Sequence, residues 1–153
     1  MPITEAVRSR LMLQGFVCDT DPRVAAAAPW LRFTPALSTL WIITGTVLRS
    51  PTLLWSFAAI AGVGAAGWNM FDALFAAVVR RWVRAPRLPP NPAPRRFAMG
   101  IASVWSAGAG ALMAIGIGWG GVAAGIALAL AGITVATTHF CLGSWLYHLL
   151  RRR

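Results

Sequence analysis

Lysine is absent from this chain and acids are scarce. All 14 basic residues are arginine, set against four acids, so the formal net charge is +10. Only 12% of the residues are charged, about half the share of an ordinary soluble domain. Two cysteines, Cys18 and Cys141, are too few for a disulfide scaffold, and they form no CxxC pair. Phosphate-loop, GxSxG and HExxH motifs are missing. Zinc asks for three or four Cys, His or carboxylate ligands. His139, His148, the cysteines and the few acids supply that poorly, and nothing beside His139 supports it as an axial ligand to a tetrapyrrole. No cofactor is expected.

What the chain has in excess is apolar length: 58% of residues are hydrophobic and the mean hydropathy is +0.65. The arginines lie outside the long apolar runs. That pattern reads as membrane topology, not as a nucleic-acid footprint. The expected fold is an all-α membrane protein with four transmembrane helices arranged as two hairpins. The helices are predicted at about 33–48, 53–79, 97–117 and 122–140, the last extending to about 150. The first is short, roughly 24 Å against a hydrocarbon core of about 30 Å. The second is longer than a bilayer needs, so it tilts or projects into the cytoplasm. Residues 86–94 hold five prolines and form a cytoplasmic linker.

Residues 1–32 form an N-terminal cytoplasmic or interfacial segment. Ile3, Val7 and Leu11 recur at i, i+4, i+8 beside Arg8 and Arg10, which fits a short interfacial helix and equally a frayed tail. No signal-peptide core occurs there, so no cleaved signal is expected. Thirteen arginines fall on one side of the predicted spans and Arg49 alone on the other. Both termini and the middle loop are therefore expected in the cytoplasm. Trp55, Trp82, Trp119, Trp145 and Tyr147 fall near segment ends as interface anchors, as does Trp30. Residues 32–41 (RFTPALSTLW) echo residues 96–105 (RFAMGIASVW) at an offset of 64. Two helices per unit preserve orientation, so the hairpins would be parallel repeats; chance similarity of apolar segments fits as well.

Transmembrane helices approach closely where residues are small. The second segment carries Ala61, Ala65 and Asn69 at spacing four. The third carries Gly110, Ala114 and Gly118, and the fourth carries Gly121, Gly125 and Gly132. These faces suit packing within the molecule or docking of another membrane protein.

Asp72 is the one acid inside an apolar run, and an ionised Asp at mid-bilayer costs about 2.5–3.5 kcal/mol. It lies eight residues before Arg80, so a position near the cytoplasmic boundary, paired with an Arg or capping a helix, is the milder alternative. His139 and Cys141 are expected at similar depth. There a His would raise the thiolate fraction of the Cys. The bland alternatives are a buried small hydrophobe at Cys141 and a helix–helix hydrogen bond at His139.

Asp21-Pro22-Arg23, Pro94-Arg95-Arg96-Phe97-Ala98 and Phe140-Cys141-Leu142-Gly143-Ser144-Trp145-Leu146-Tyr147 together give a resemblance over residues 18–150. The chain resembles the bacterial four-helix membrane proteins grouped as domain of unknown function 4395. The resemblance implies a bacterial inner-membrane location and association with thioredoxin-like or sulfur-transfer proteins. Many members carry a second Cys three residues after the position of Cys141, where this chain has Ser144, so dithiol cycling through a local CxxC is put in doubt.

Two functions are expected. The favoured one is a non-catalytic accessory protein, a small subunit of a larger membrane complex, with lipid and other membrane proteins as partners. The alternative is a thiol-redox or sulfur-handling protein using Cys141 with His139 and Asp72 nearby.

Overall fold

The computed structural model describes residues 4–17 and 22–152. Thr4 accepts a hydrogen bond from the Val7 amide and starts α1 (Glu5–Leu13). A short α2 (Pro22–Ala27) follows. Leu11, Phe16, Val24, Ala28 and Leu31 close a small core around these elements, so residues 5–13 are a docked helix. Cys18 lies outside the described residues.

The first hairpin is α3 (Phe33–Val47) and α4 (Pro51–Ala66). Ser50 caps α4 and Pro51 opens it, the position where a missing amide costs nothing. The second hairpin is α7 (Ala93–Ala114) and α8 (Gly118–Thr138), turned at Gly116 with φ +87°. A core of Ile42, Phe57, Ala61, Phe71, Leu128 and Ala129 joins the two. Their order in space follows from pairwise contacts. Ser106 Oγ donates to Leu54 O at 2.9 Å and Ser103 Oγ to Ala58 O at 2.7 Å, so α4 and α7 run antiparallel. Gly125 lies against Thr46 and Gly132 against Thr39, so α3 and α8 do too.

Two helices, α7 and α8, are long and apolar enough to cross a membrane. A third span exists if α4 is joined to residues 70–83, a pair bent by 87°. Two or three such helices mark a multi-pass membrane protein. α3 has 15 residues, about 22 Å.

The unbroken second helix expected over 53–79 does not form. Gly67 adopts φ +123°, a conformation that suits a residue without Cβ. Asn69 then caps a new helix, α5 (Met70–Leu74), which runs through a π turn at Phe75–Val79 into α6 (Arg80–Val83). The fourth helix likewise does not continue to 150. It stops at His139, φ +61°, and α9 (Leu142–Arg151) starts afresh. Residues 85–92 carry no helix or strand, so the linker is extended and α7 begins two residues inside its expected end.

The small residues divide into two groups. A Cβ on Gly110 would lie 2.7 Å from Trp55 Nε1, and Gly121, Gly125 and Gly132 are filled by Met113, Thr46 and Thr39. Ala61 is in the core, and the Ala65 carbonyl accepts from Arg96. Ala114 is exposed and Gly118 faces open space, so neither packs a helix; Asn69 is buried, caps α5 and also donates to Met99 Sδ of α7 at 3.6 Å. Among the aromatic anchors, Trp82 and Trp119 are more than 80% exposed. Trp55 instead binds the Ala107 carbonyl at 3.2 Å, and Tyr147 packs on Phe97 and Arg151. Trp145 is half-exposed.

Candidate functional site

The ends of the four long helices that hold Arg32, Ala66, Arg95 and Thr138 gather at one pole of the bundle. Arg95 sits in the first turn of α7, where the helix dipole disfavours a cation. It is nevertheless buried, 7% exposed. Its guanidinium lies 5.6 Å from the Phe16 ring centroid, and Nη2 lies 4.0 Å from Asp72 Oδ1. Asp72, in the first turn of α5, has both oxygens occupied. Thr34 Oγ1 donates to Oδ1 and Asn91 Nδ2 donates to Oδ2 at 2.6 Å. Asp72 is thus held by Arg95, Thr34 and Asn91, and the Arg it pairs with is not in the 80–84 cluster. Beyond the long ion pair, Arg95 Nη2 has no hydrogen-bond partner among the described residues.

The α8 terminus is held by the N-terminal segment. Arg10 Nη1 donates to Thr138 O at 2.9 Å and Gln14 Nε2 donates to His139 O at 2.6 Å. Cations suit a helix C-terminus. Arg32 Nε donates to His139 Nε2 at 2.8 Å, so the ring is neutral with its proton on Nδ1. Burial, then the charges of Arg32, Arg95 and Arg10, push the His139 pKa down to about 4.

Cys141 follows as the N-cap residue of α9 and is buried as a free thiol. Three residues on, Ser144 is fully buried, and its Oγ has no partner among the described residues. The structure brings Asp72 to 4.0 Å from Arg95, and Arg95 lines one cavity with Cys141. It does not make His139 the thiol's helper. The acceptor nitrogen of His139 belongs to Arg32.

Cys141, Arg95, Gln14 and Thr34 form one end of a cavity of about 290 Å³ between α3, α4, α7 and α8. The rest of its wall is apolar apart from Ser38 and Thr39, and includes Ile42 and Phe57. Arg95, Gln14, Thr34 and Asn91 were not singled out by sequence. One signal pointed to Arg95: a cation in the first turn of an apolar helix needs a compensating anion, and Asp72 was the one acid inside an apolar run.

A family model, Domain of unknown function (DUF4395), matches residues 28–152. No curated protein and no solved structure matches the chain.

Proposed function

We propose, given that the chain belongs to the family Domain of unknown function (DUF4395), that it is a four-span protein of the bacterial cytoplasmic membrane that handles sulfur through Cys141. The four crossings are supported by packing. α3 lies antiparallel to α8 across Gly125 and Gly132, well inside that apolar helix. α4 lies alongside α7 in the same way. Both termini and the 85–92 linker then fall on the arginine-rich, cytoplasmic side. Residues 70–83 and α9 lie beyond the crossings, and in this reading rest along the interface.

The observation that carries the thiol reading is that Cys141, at the α9 N-terminus, lines the same cavity as Arg95. Ser144 removes the local resolving thiol, which favours sulfur relay over dithiol redox. The Cys141 thiolate attacks the outer sulfur of a partner's persulfide. The partner's S–S bond breaks and its thiolate leaves. Cys141 then carries the persulfide, with no net oxidation. The glycine faces that suggested docking are filled inside the molecule at Gly110, Gly121, Gly125 and Gly132.

The test is mass spectrometry of the Cys18→Ala protein after exposure to inorganic polysulfide. Gain of one sulfur on Cys141, slowed about tenfold by Arg95→Gln, is expected. An unmodified Cys141 would remove the reading.

The exposed apolar arm at Val78, Trp82 and Val83 favours a second reading, an accessory subunit of a larger membrane complex. Gentle extraction would then recover the chain with a stoichiometric partner, and Cys141→Ala would leave that recovery unchanged.

A further inference from the structure

We infer that the cavity is a binding site for a single-chain amphiphile with an anionic headgroup, seated on Arg95. Its volume, about 290 Å³, is at the lower end of ligand sites, which run from about 300 Å³ upward. Its lining along α7 extends from Arg95 to Trp105, ten residues or about 15 Å. That is the shape of a slot for one hydrocarbon chain, and beyond Ser38 and Thr39 its wall is apolar.

The headgroup chemistry follows from the polar end. Arg95 is more than nine-tenths buried, it lines the slot, and Nη2 lacks a hydrogen-bond partner among the described residues. A buried donor left unpaired is costly, and more so on a charged group. Asp72 does not fill the need, since its nearest oxygen stands 4.0 Å away, beyond hydrogen-bond reach. Among the described residues the local charge is also mostly positive: Arg10, Arg32 and Arg95 act on His139, and Asp72 stands beside Arg95. A carboxylate or phosphate oxygen at Nη2 completes the guanidinium and reduces the excess charge. The assignment goes beyond the thiol reading and does not rest on it.

The experiment uses the full chain in phosphatidylcholine nanodiscs. It compares diazirine-bearing dodecanoic acid, dodecyl phosphate and dodecanol, with crosslinks mapped by mass spectrometry. An anionic probe is expected to label cavity residues such as Ala102 and Leu128 about tenfold more than the alcohol does. A preference for the carboxylate identifies a fatty acid, and one for the phosphate identifies a phospholipid-like head. Arg95→Gln should remove the preference. Ala131→Phe, which fills the slot and leaves the Arg95–Asp72 pair intact, should abolish labelling. Equal labelling by acid, phosphate and alcohol in the unmodified protein would overturn the assignment. So would labelling confined to the outward-facing Val104 and Ile126, or labelling that survives Ala131→Phe.

Discussion

The two hairpins are built alike and finished differently. Each carries Arg-Phe near the start of its first helix, and each Arg reaches the far end of the other hairpin's second helix. Arg32 binds the His139 ring, while Arg96 binds the carbonyls of Ala65 and Ala66 at 3.0 and 2.9 Å. Trp41 and Trp105 each donate to a carbonyl of the next helix in their own hairpin, Leu53 and Ala124. Each second helix stops at a residue with positive φ, Gly67 or His139, and a short helix restarts two residues later behind Asn69 or Cys141. The third residue after each cap is Asp72 or Ser144.

There the likeness ends. Asn69 caps with its side chain, accepting from the Phe71 and Asp72 amides. Cys141 makes no such bond. Asp72 is fully engaged, whereas Ser144 Oγ has no partner among the described residues. A good cap is worth about 1 kcal/mol. The first hairpin keeps that stability and the second forgoes it for a thiol, which is the kind of local inconsistency found at functional sites.

The largest test of this contrast is Asp72→Asn against Ser144→Ala. Removing the carboxylate leaves Arg95 buried without its counter-ion and should cost about 3–5 kcal/mol, read as loss of monodisperse protein in detergent. Ser144→Ala removes an oxygen with no described partner and should leave stability unchanged or raised. Similar losses from both would mean the two halves are equally engaged.

Next in size is a pH effect confined to the second hairpin. An unfolded His139 takes its proton near 6.5, the folded one only near 4. The stability held in the neutral ring is therefore complete above pH 6.5 and falls as pH drops toward 4, by about 3 kcal/mol at most. Thermal melting between pH 8 and 4.5 should show the decline. His139→Asn, which also tolerates the left-handed backbone, should flatten it.

Third, Gly125→Leu forces a side chain into Thr46 and should cost about 1–3 kcal/mol, while Gly118→Leu faces open space and should be silent in the same melt. Smallest is the cap itself. Cys141→Asn should raise the stability of the chain by about 1 kcal/mol while ending any sulfur loading. A destabilised Cys141→Asn would break the analogy with Asn69.

Much of this was legible in the sequence, because hydropathy and arginine placement report the environment of whole segments. The spans at α7 and α8 follow from those signals; the first turn, expected at 49–52, lies at 48–50, because Pro51 already opens α4. The break at Gly67–Asn69 did not, since an apolar run hides a helix end whose only marks are one Gly and one Asn. The repeat was visible through Arg32, Phe33 and Trp41 against Arg96, Phe97 and Trp105. Its consequence at Asn69 and Cys141 was not, because there the offset grows from 64 to 72 residues. Asp72, His139 and Cys141 were expected at a similar depth; in the structure Asp72 pairs with Arg95, which lines one cavity with Cys141. Arg95 was read as one of many topology charges. Only tertiary contact separates a buried arginine from a snorkelling one.

The central claim is that both hairpins cross the bilayer in the same sense and leave the two breaks on the cytoplasmic face. Single cysteines placed by Ser50→Cys, Gly118→Cys, Trp68→Cys and Phe140→Cys, in a background of Cys18→Ala and Cys141→Ala, test it with a membrane-impermeant maleimide. Labelling of positions 50 and 118 in intact cells, and of 68 and 140 only after permeabilisation, is the expected result. Positions 68 and 140 on opposite faces, or 50 and 118 on opposite faces, would contradict it.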